Sequence, residues 1–296
     1  MNKNLICPLC KIPIELKEDK YICPHCNAFY PIRDGIYCFV KEDYKGSGFS
    51  QEMFKSLFEI EKKHFWHTGR KEIIYQILKQ SIKEKIKNLK MIEIGCGNGI
   101  VLQYLKEKGI NTEGADISIE GLNFCKKRVN VPFYQIDALS TPFPTESYDL
   151  VGMFDLIEHI EDDQLLLREA SRICKKNGKI IITVPANNYL WSYFDVISGH
   201  QRRYSKKELV LKLEKAGFKI ERISFYIFFL FPIFLIFRKL AVFKNHNKKL
   251  KISKLLELKI IPLINNIFLM LLRIEKKLLL NFNLPLGTSL ICIAKK

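Results

Sequence analysis

A glycine-rich turn between a β-branched run and an amphipathic segment constrains the fold of this chain more than any other feature. Residues 92–99 read IEIGCGNG. Glycines at this spacing allow the backbone to turn tightly and to approach a ligand at the N-terminus of the helix that follows. The turn therefore predicts a nucleotide-like ligand at the edge of an α/β sheet.

Short β-branched runs alternate with amphipathic stretches from Leu89 onward. The runs are KMIEIG, NTEGADI, FYQID, YDLVGMF and KIIITVP. Such alternation predicts βαβ units in a doubly wound, mostly parallel sheet. Apolar residues at helical spacing over residues 51–85 predict helices that lead into this core, and Ser205 is a candidate N-cap for a later helix.

Acidic residues accompany the predicted strand ends. Glu93 precedes the glycines, Asp116 ends the next run and Asp137 ends the one after it. Asp116 lies 21 residues beyond Gly95, a position from which a carboxylate can accept hydrogen bonds from both ribose hydroxyls. This spacing suits an adenosyl cofactor and also NAD, so a nicotinamide enzyme stays an alternative at this point.

The Gly-x-Gly-x-Gly spacing, the pair Asp137-Ala138 and the segment PFPTESYDLV make residues 89–225 resemble the class I S-adenosylmethionine-dependent methyltransferases. The resemblance implies a Rossmann-like sheet of seven strands that ends in an antiparallel hairpin, completed by SLICIAKK. It also implies a cofactor site: Glu93, Gly95, Cys96, Gly97 and Gly99 for the methionine moiety, Asp116 for the ribose, Asp137 and Ala138 for the adenine, and Ile117 and Phe154 beside them.

Two short cysteine pairs occupy the first forty residues. Cys7-x-x-Cys10 and Cys23-x-x-Cys26 are separated by twelve residues, and two such knuckles can close a tetrahedral structural zinc site. Together with FYPIRDGIYCFV, this region resembles the zinc-ribbon family of methyltransferase activators. The alternative is four ordinary buried cysteines. The other cysteines are scattered, which favours a reducing compartment.

A second group of reactive residues follows the fourth predicted strand. Asp155, Glu158 and His159 would share one face of a helix, and two carboxylates with an imidazole can bind a divalent cation. With His200 downstream, the pattern resembles the ubiquinone-biosynthesis O-methyltransferases and small-RNA 2′-O-methyltransferases, in which a Glu-x-x-Glu-His run and a distant histidine hold a magnesium-type ion. The resemblance implies that these four residues are ligands, although Asp155 stands where the family has glutamate.

The chemistry expected at this group is deprotonation of an acceptor hydroxyl. A bound ion could lower the pKa of the hydroxyl, with His159 or His200 as ligand or base. Alternatively His159 is a metal-free base, or it merely packs while the carboxylates face water. Arg202 and Arg203 could grip a phosphate of the acceptor or form a solvated surface.

Positive charge is concentrated near the C-terminus. The chain carries a net charge of +17, and residues 227–296 hold 13 lysines or arginines and two acidic residues. The apolar runs 225–237 and 260–272 would form helices about 20 Å long, shorter than the roughly 30 Å hydrocarbon core of a bilayer. We therefore expect apolar helices rimmed by cations at an anionic lipid surface; packing on the sheet or on a second subunit is the alternative. The cations around these runs are Arg238, Lys239, Lys244, Lys248, Lys249, Lys251, Lys254, Lys259, Arg273, Lys276 and Lys277.

These patterns divide the chain into five parts. They are a zinc ribbon (1–40), a linker with leading helices (41–88), a methyltransferase core (89–226), an apolar, basic helical insertion (227–285) and the last strand of the core (286–296).

The favoured function is O-methylation of an amphipathic or lipid-linked acceptor at the membrane surface. An RNA methyltransferase is the alternative, since a ribbon and a basic surface also suit RNA; against it, the cations are interleaved with Leu, Ile and Phe rather than with exposed aromatics for stacking. A docking module recruited through the ribbon is a third possibility. Because no signal-like segment precedes Cys7, we expect a cytoplasmic protein, peripheral at the inner face of the cell membrane.

Overall fold

The structure, a computed structural model, describes residues 4–40, 51–82, 88–244 and 259–296. The predicted linker, residues 41–50, lies outside these ranges, as do residues 83–87 beside the predicted leading helices and residues 245–258 of the predicted insertion. The strands of the described chain are β1 (Glu15–Lys17), β2 (Lys20–Ile22), β3 (Phe29–Arg33), β4 (Ile36–Cys38), β5 (Lys90–Ile94), β6 (Asn111–Asp116), β7 (Phe133–Gln135), β8 (Tyr148–Phe154), β9 (Cys174–Pro185), β10 (Lys219–Tyr226) and β11 (Ser289–Lys295). The α-helices are α1 (Gln51–Glu61), α2 (Phe65–Ser81), α3 (Ile100–Glu107), α4 (Ile119–Lys126), α5 (Asp163–Ile173), α6 (Tyr193–Ile197), α7 (Lys206–Lys215), α8 (Phe231–Lys244) and α9 (Pro262–Leu278).

The strands form one sheet in the order β1-β2-β3-β4-β7-β6-β5-β8-β9-β11-β10. From β7 to β9 the neighbours are parallel, and β11 runs antiparallel to both β9 and β10. The seven strands β5 to β11 are thus the doubly wound sheet with its terminal hairpin that the sequence predicts. Because β5 and β8 are covered by helices and neighbouring strands, their residues are buried almost throughout, as parallel strands require.

The prediction of seven strands is wrong for the sheet as a whole, which has eleven. The reason is that the ribbon adds its own strands to one edge: Ile36–Cys38 pairs in parallel with Phe133–Gln135. The Ile6 N–H also donates to the Pro142 carbonyl at 2.8 Å. An edge strand with unpaired backbone groups is a liability in water, and the ribbon covers the edge that β7 would otherwise expose.

Helix starts follow the side chains that the sequence provides. The predicted N-cap Ser205 is confirmed, since its side chain accepts from the Glu208 N–H at the start of α7. Asp162 caps α5 in the same way, by accepting from the Leu165 N–H. A capping side chain satisfies one of the free N–H groups at a helix start, so these two helices begin where the sequence dictates.

Helix α9 of the C-terminal insertion packs on α2 through buried polar groups as well as apolar ones. Asn265 accepts from the Phe65 N–H at 2.8 Å and donates to the Lys63 carbonyl at 3.0 Å. Glu275, which is fully buried, accepts from the Phe228 N–H at 2.7 Å. Part of the insertion therefore belongs to the packed body of the protein. Among the described helices, none is both long and apolar enough to cross a bilayer.

Candidate active site

The glycine turn opens a cradle at the carboxyl ends of β5 and β6. Gly99, with φ of 75°, begins α3, and Gly97 has φ of 49°. Both values lie in the left-handed region that favours glycine. A Cβ added to Gly97 would meet nothing within 4 Å among the described residues, whereas one at Gly99 would lie 2.1 Å from the buried Cys125 sulfur. Gly97 thus leaves space for a ligand, and Gly99 is needed for packing.

Asp116 ties the cradle to the end of β6. Its Oδ2 accepts from the Gly97 N–H and its Oδ1 from the Ser118 N–H, both at 2.8 Å. Burial raises the pKa of Asp116, while these backbone N–H groups oppose the shift. Ile117 follows, half-buried, and its carbonyl accepts from Gln135. The carboxylate is therefore held at the place where the sequence puts the ribose contact.

Glu93 is a buried carboxyl at the end of β5. Within the described chain, its Oε2 has no hydrogen-bond partner. Burial raises the pKa of Glu93 to about 8, against the lowering influence of Arg70. A buried carboxyl with a free oxygen beside an open cradle fits a cationic ligand, because such a ligand would supply the missing partner.

The other predicted cofactor residues line the same edge of the sheet. Asp137 lies exposed on the loop after β7, where it accepts from the Leu139 N–H at 2.9 Å, and Ala138 is half-buried. Cys96 and Phe154 are buried. A Cβ added at Gly95 would lie 2.7 Å from Leu156 Cδ1, so the segment after β8 packs against the glycine turn.

A cavity of about 200 Å³ lies next to this cradle, at the carboxyl ends of β8 and β9. Its lining includes the aromatic rings of Phe65, Trp66, Phe194 and Phe234 and the polar side chains of Asp155, Glu158, His159, His200, Arg203 and Arg238. Helices α2, α6 and α8 supply the rings, so the apolar insertion contributes directly to the wall. The combination of apolar walls and a few convergent polar groups is typical of a small-molecule site.

The segment after β8 is not the α-helix that the sequence predicts. Asp155 has φ of 55°, and its N–H still donates to the Thr183 carbonyl of β9 at 2.9 Å. Only a 3₁₀ turn, Ile157–His159, follows. Because Asp155 remains bonded to the neighbouring strand, it cannot take part in a helix with Glu158, and the two carboxylates are not neighbours on one helix face.

Asp155 faces α2 instead of the other candidate ligands. Its Oδ2 lies 2.6 Å from Arg70 Nη2, and the Arg70 side chain is almost fully buried. Burial by itself lowers the pKa of Arg70, but the nearby carboxylates, Asp155 first among them, raise it. The structure therefore leaves Asp155 out of the group of candidate metal ligands that it brings together.

Glu158, His159 and His200 do converge. Ligand atoms of the three side chains lie within 4.8 Å of one another. The His159 and His200 rings meet edge-on with centroids 4.8 Å apart, and His200 Nε2 lies 3.9 Å from Glu158 Oε1. The Gln201 N–H donates to the Glu158 carbonyl at 2.8 Å, which holds the loop of His200 against the 3₁₀ turn.

Electrostatics distinguishes the members of this group. Glu158 is fully buried, and in the part of the chain that the structure covers neither carboxyl oxygen has a hydrogen-bond partner. Burial, and then the charge of Asp155, raises the pKa of Glu158 well above its usual value. Burial, and then the charge of His200, lowers the pKa of His159 to about 4. At neutral pH the His159 imidazole is therefore neutral. The Glu158 carboxyl beside it has no hydrogen-bond partner among the described residues that would stabilise its ionised form.

The two predicted phosphate-gripping arginines already have carboxylate partners. Arg202 lies 3.2 Å from Asp163, and buried Arg203 lies 2.8 Å from Asp195. Arg203 also donates to the Ala186 carbonyl at 3.1 Å. The ion pairs with Asp163 and Asp195 account for the positions of the two arginines. Neither position requires a bound phosphate to explain it.

The four N-terminal cysteines meet as predicted. Their sulfur atoms lie within 4.8 Å of one another. The N–H groups of Cys10 and Cys26 point at the sulfurs of Cys7 and Cys23, each at 3.5 Å. Four converging thiols with backbone N–H groups directed at the first sulfur of each pair fit a tetrahedral zinc ion.

Three residues of the site carried no sequence signal of their role. Asp195 lies buried under His200, Phe234 of α8 lines the cavity, and Asn265 of α9 fixes the start of α2. Phe234 and Asn265 act through contacts between segments far apart in the chain, whereas Asp195 and His200 are only five residues apart. Only the Ser192-x-x-Asp195 spacing resembles a helix start, and it says nothing about the histidine.

The doubly wound sheet, the glycine cradle where its strand order reverses and the carboxylates that follow β5 and β6 define a class I S-adenosylmethionine-dependent methyltransferase. Among the described residues, a Cβ on Gly97 in this cradle would meet nothing within 4 Å, and Glu93 Oε2 lacks a hydrogen-bond partner. The sequence model described as a methyltransferase domain matches residues 65–223. The match covers more than half of the chain, and the chain belongs to this family.

Curated relatives include methyltransferases of quinone biosynthesis. The ubiquinone biosynthesis O-methyltransferase of Pelagibacter ubique (strain HTCC1062) is 28% identical over 134 residues, 44% of this chain and 55% of the relative. The ubiquinone/menaquinone biosynthesis C-methyltransferase of Campylobacter jejuni (strain RM1221) is 25% identical over 186 residues, 51% of this chain and 78% of the relative. The chain thus spans about half the length of the O-methyltransferase relative.

Solved structures share the fold. Phosphoethanolamine N-methyltransferase 2 of Haemonchus contortus, in complex with S-adenosylmethionine, has a TM-score of 0.54 at 17% identity, covering 83% of this chain and 57% of that chain. A complex between the Trm112 methyltransferase activator and a methyltransferase of Haloferax volcanii has a TM-score of 0.54 at 16% identity, covering 82% of this chain and 96% of that chain. At these identities the likeness establishes the fold alone.

Proposed function

We propose that this methyltransferase methylates a hydroxyl group of an amphipathic or lipid-linked acceptor that it meets at an anionic membrane surface. The observation that carries the proposal is the cavity beside the cradle. Glu158, His159 and His200 lie at its polar side, and aromatic rings from α2, α6 and the apolar insertion form the rest of its wall.

When bound, S-adenosylmethionine supplies a methyl group on a sulfonium, which needs no further activation. Glu93 and the glycine cradle would hold the methionine moiety, Asp116 the ribose, and Asp137 with Ala138 the adenine. The remaining task of the chain is to align the acceptor and to remove its proton.

His200 and His159 are the candidate bases for that proton. His159 is neutral near pH 7 because burial lowers its pKa to about 4. With Glu158 they also form a set of one oxygen and two nitrogen donors that fits a divalent cation such as Mg²⁺ or Mn²⁺, whose charge would favour the ionised hydroxyl. A chelator titration of the purified protein distinguishes the two routes: activity lost on stripping and restored by Mg²⁺ or Mn²⁺ supports the cation, and unchanged activity supports the histidine alone.

The exposed side of α9 supports contact with lipid. Leu263, Ile267, Met270 and Ile274 recur at helical spacing and are 72%, 44%, 55% and 43% exposed. They form a stripe opposite the buried residues that pack on α2. A contiguous exposed apolar stripe in a strongly basic part of a chain is typical of a helix that lies in a membrane interface.

Only some of the described cations that the sequence places around the apolar helices are exposed in the structure. Arg238 is buried, and Arg273 and Lys276 pair with Glu72 on α2. Lys259 and Lys277 are exposed near the ends of α9. Of the other predicted rim residues, Lys248, Lys249, Lys251 and Lys254 lie outside the described residues, and the side chains of Lys239 and Lys244 are not described.

Two further observations favour a lipophilic acceptor. Curated relatives carry names from ubiquinone and menaquinone biosynthesis. In addition, Phe234 of α8 stacks on Phe65 of α2 with ring centroids 6.5 Å apart, and both rings line the cavity. An apolar substituent of the acceptor would therefore meet aromatic surface provided by the insertion itself.

Vesicle flotation tests the membrane part of the proposal. We expect the protein to float with anionic vesicles at low salt and to lose this binding when Leu263, Ile267 and Met270 are replaced by Asp. The matched control is Leu211→Asp on α7, which changes a side chain that is also exposed, at 47%. Transfer of radiolabel from methyl-labelled S-adenosylmethionine into a membrane lipid extract tests the acceptor class.

The RNA alternative gives the opposite result in the same assays. If the protein ignores anionic vesicles and binds structured RNA with a steep dependence on salt, the lipid proposal fails and the basic surface is an RNA surface. The proposed place of the protein, in the cytoplasm at the inner face of the cell membrane, fails with it. In the four N-terminal cysteines we further propose a structural zinc ion, which metal analysis of the purified protein would detect.

A further inference from the structure

Asp195 on α6 lies beneath His200 and is fully buried. Its Oδ1 lies 2.8 Å from His200 Nδ1 and 2.8 Å from Arg203 Nε. The sequence patterns assign no role to this residue, and it has no place among the cofactor contacts. Its carboxylate is nevertheless the group that the His200 ring contacts on the side away from the cavity.

The second oxygen of Asp195 is equally engaged. Oδ2 accepts from the Ser192 N–H at 2.8 Å and lies 3.8 Å from Arg238 Nη1 of α8. Two guanidinium groups, a backbone N–H and the Ser192 hydroxyl, which lies 3.4 Å from Oδ2, therefore surround one buried carboxylate. A buried carboxylate of this kind persists only when it is paired and hydrogen-bonded, and toward His200 it can act only as an acceptor.

This arrangement decides which nitrogen of His200 carries the proton. A carboxylate acceptor opposite Nδ1 requires a hydrogen on Nδ1. The other nitrogen, Nε2, then presents a lone pair toward Glu158, 3.9 Å away, on the cavity side of the ring. A base and a metal ligand both need that lone pair, so the same tautomer serves either role of His200.

We propose that Asp195 is a positioning residue, which holds His200 with its proton on Nδ1 and its Nε2 lone pair facing the acceptor cavity. The use made of the lone pair rests on the proposed function, whereas the tautomer does not. Arg203 and Arg238 keep the carboxylate in place by neutralising it from two sides, and Arg238 brings α8 of the insertion into the same network.

Nitrogen NMR of the full chain labelled with ¹⁵N-histidine tests the tautomer without any acceptor. In mildly alkaline buffer, where imidazoles are neutral, we expect the wild-type His200 signals to show a protonated Nδ1 and an unprotonated Nε2. A wild-type spectrum with the proton on Nε2 overturns the proposal, and this measurement needs no variant that must fold.

Asp195→Ala adds the causal test, since it removes the acceptor that requires a hydrogen on Nδ1. We expect the proton of His200 to move to Nε2 in this variant, with the His159 signals unchanged. Ser192→Ala is the matched control: it removes the other side chain of the α6 capping box and should leave His200 as in the wild type. An Asp195→Ala spectrum identical to wild type, or the same change in Ser192→Ala, overturns the proposal.

Methyl transfer into a membrane lipid extract connects the tautomer to turnover. We expect Asp195→Ala to lower kcat by about 10- to 100-fold with KM for S-adenosylmethionine unchanged, and Asp195→Glu to recover part of the loss. A loss confined to KM would assign Asp195 a merely structural role. If the tautomer moves as expected while the wild type labels no lipid, the acceptor class of the proposed function is wrong and the positioning role of Asp195 stands.

Discussion

We expect the protein to release a proton from Glu93 when it binds its cofactor, and replacing Glu93 by Gln tests this expectation. Burial raises the pKa of Glu93 to about 8; Arg70 opposes the shift, and Asp116 and Glu61 add to it. Near neutral pH the free protein therefore holds a proton on this carboxyl. The methionine moiety carries an ammonium group, which pairs with the carboxyl only in its ionised form.

The sign and size of the effect follow from that proton. The free protein binds a proton that the complex lacks, so raising the pH favours the complex until the pKa of Glu93, about 8, is reached. Each pH unit below the pKa costs the binding free energy about 1.4 kcal/mol, so the affinity should rise about tenfold between pH 6 and pH 7. Above about pH 8, where Glu93 is ionised in the free protein as well, the affinity should level off.

Isothermal titration calorimetry in two buffers with different heats of protonation measures both quantities. We expect the wild type to release close to one proton per cofactor bound, and Glu93→Gln to show neither the release nor the pH slope. Glu275→Gln is the control, because burial raises the pKa of Glu275 to about 7 at a site on α9. A wild-type affinity that is flat across this range, with no proton released, would refute the assignment of Glu93 to the cofactor.

Three other outcomes test separate parts of the structure. Gly97→Ala should abolish most cofactor binding and cost about 1 kcal/mol in stability. Gly99→Ala, whose Cβ would lie 2.1 Å from a buried sulfur, should lower the thermal midpoint more than Gly97→Ala does. Scanning calorimetry of both variants measures the two midpoints. Metal analysis should find one zinc per chain in the wild type and little in Cys10→Ser, with a lowered midpoint; a zinc-free wild type would contradict the ribbon assignment. Arg128→Ala removes the partner of buried Glu61, which lies 2.7 Å away. In urea unfolding at pH 8 this variant should lose about 3 kcal/mol of unfolding free energy. The loss should be smaller at pH 6, because the pKa of Glu61 is raised to about 7 and the carboxyl is then protonated.

The sequence predicts the core of the fold well because local patterns determine it. The β-branched runs become β5 to β9, and the glycine turn lies between β5 and α3. The pairing of Ile36–Cys38 with β7 was not predictable in the same way. It depends on backbone hydrogen bonds between distant segments, and such bonds leave no pattern of side chains for the sequence to show.

In the candidate site, too, the sequence places the residues that local spacing determines and misses those that depend on contacts formed in the fold. Asp116 could be placed because a fixed spacing from the glycines determines where the next parallel strand ends. Asp155 could not, because its N–H bond to Thr183 and its φ of 55° replace the expected helix by a 3₁₀ turn. Asp195 was missed for a related reason, since its partner His200 lies on the loop beyond a short helix that periodicity cannot reveal.

The insertion supports the cavity, and on the proposed function it also contacts lipid, so a large deletion cannot separate the two roles. Asn265 of α9 holds the Phe65 N–H at the start of α2, and Phe65 lines the cavity. Leu272 on the same helix is buried against the body of the protein. We therefore expect removal of residues 259–283 to destabilise the whole chain, because buried polar groups lose their partners and an apolar surface of α2 is exposed. Substitutions confined to the exposed stripe should instead weaken vesicle binding alone. If the deleted protein unfolds with the same cooperativity and midpoint as the wild type, α9 does not support the cavity, and the stripe and the acceptor site are independent.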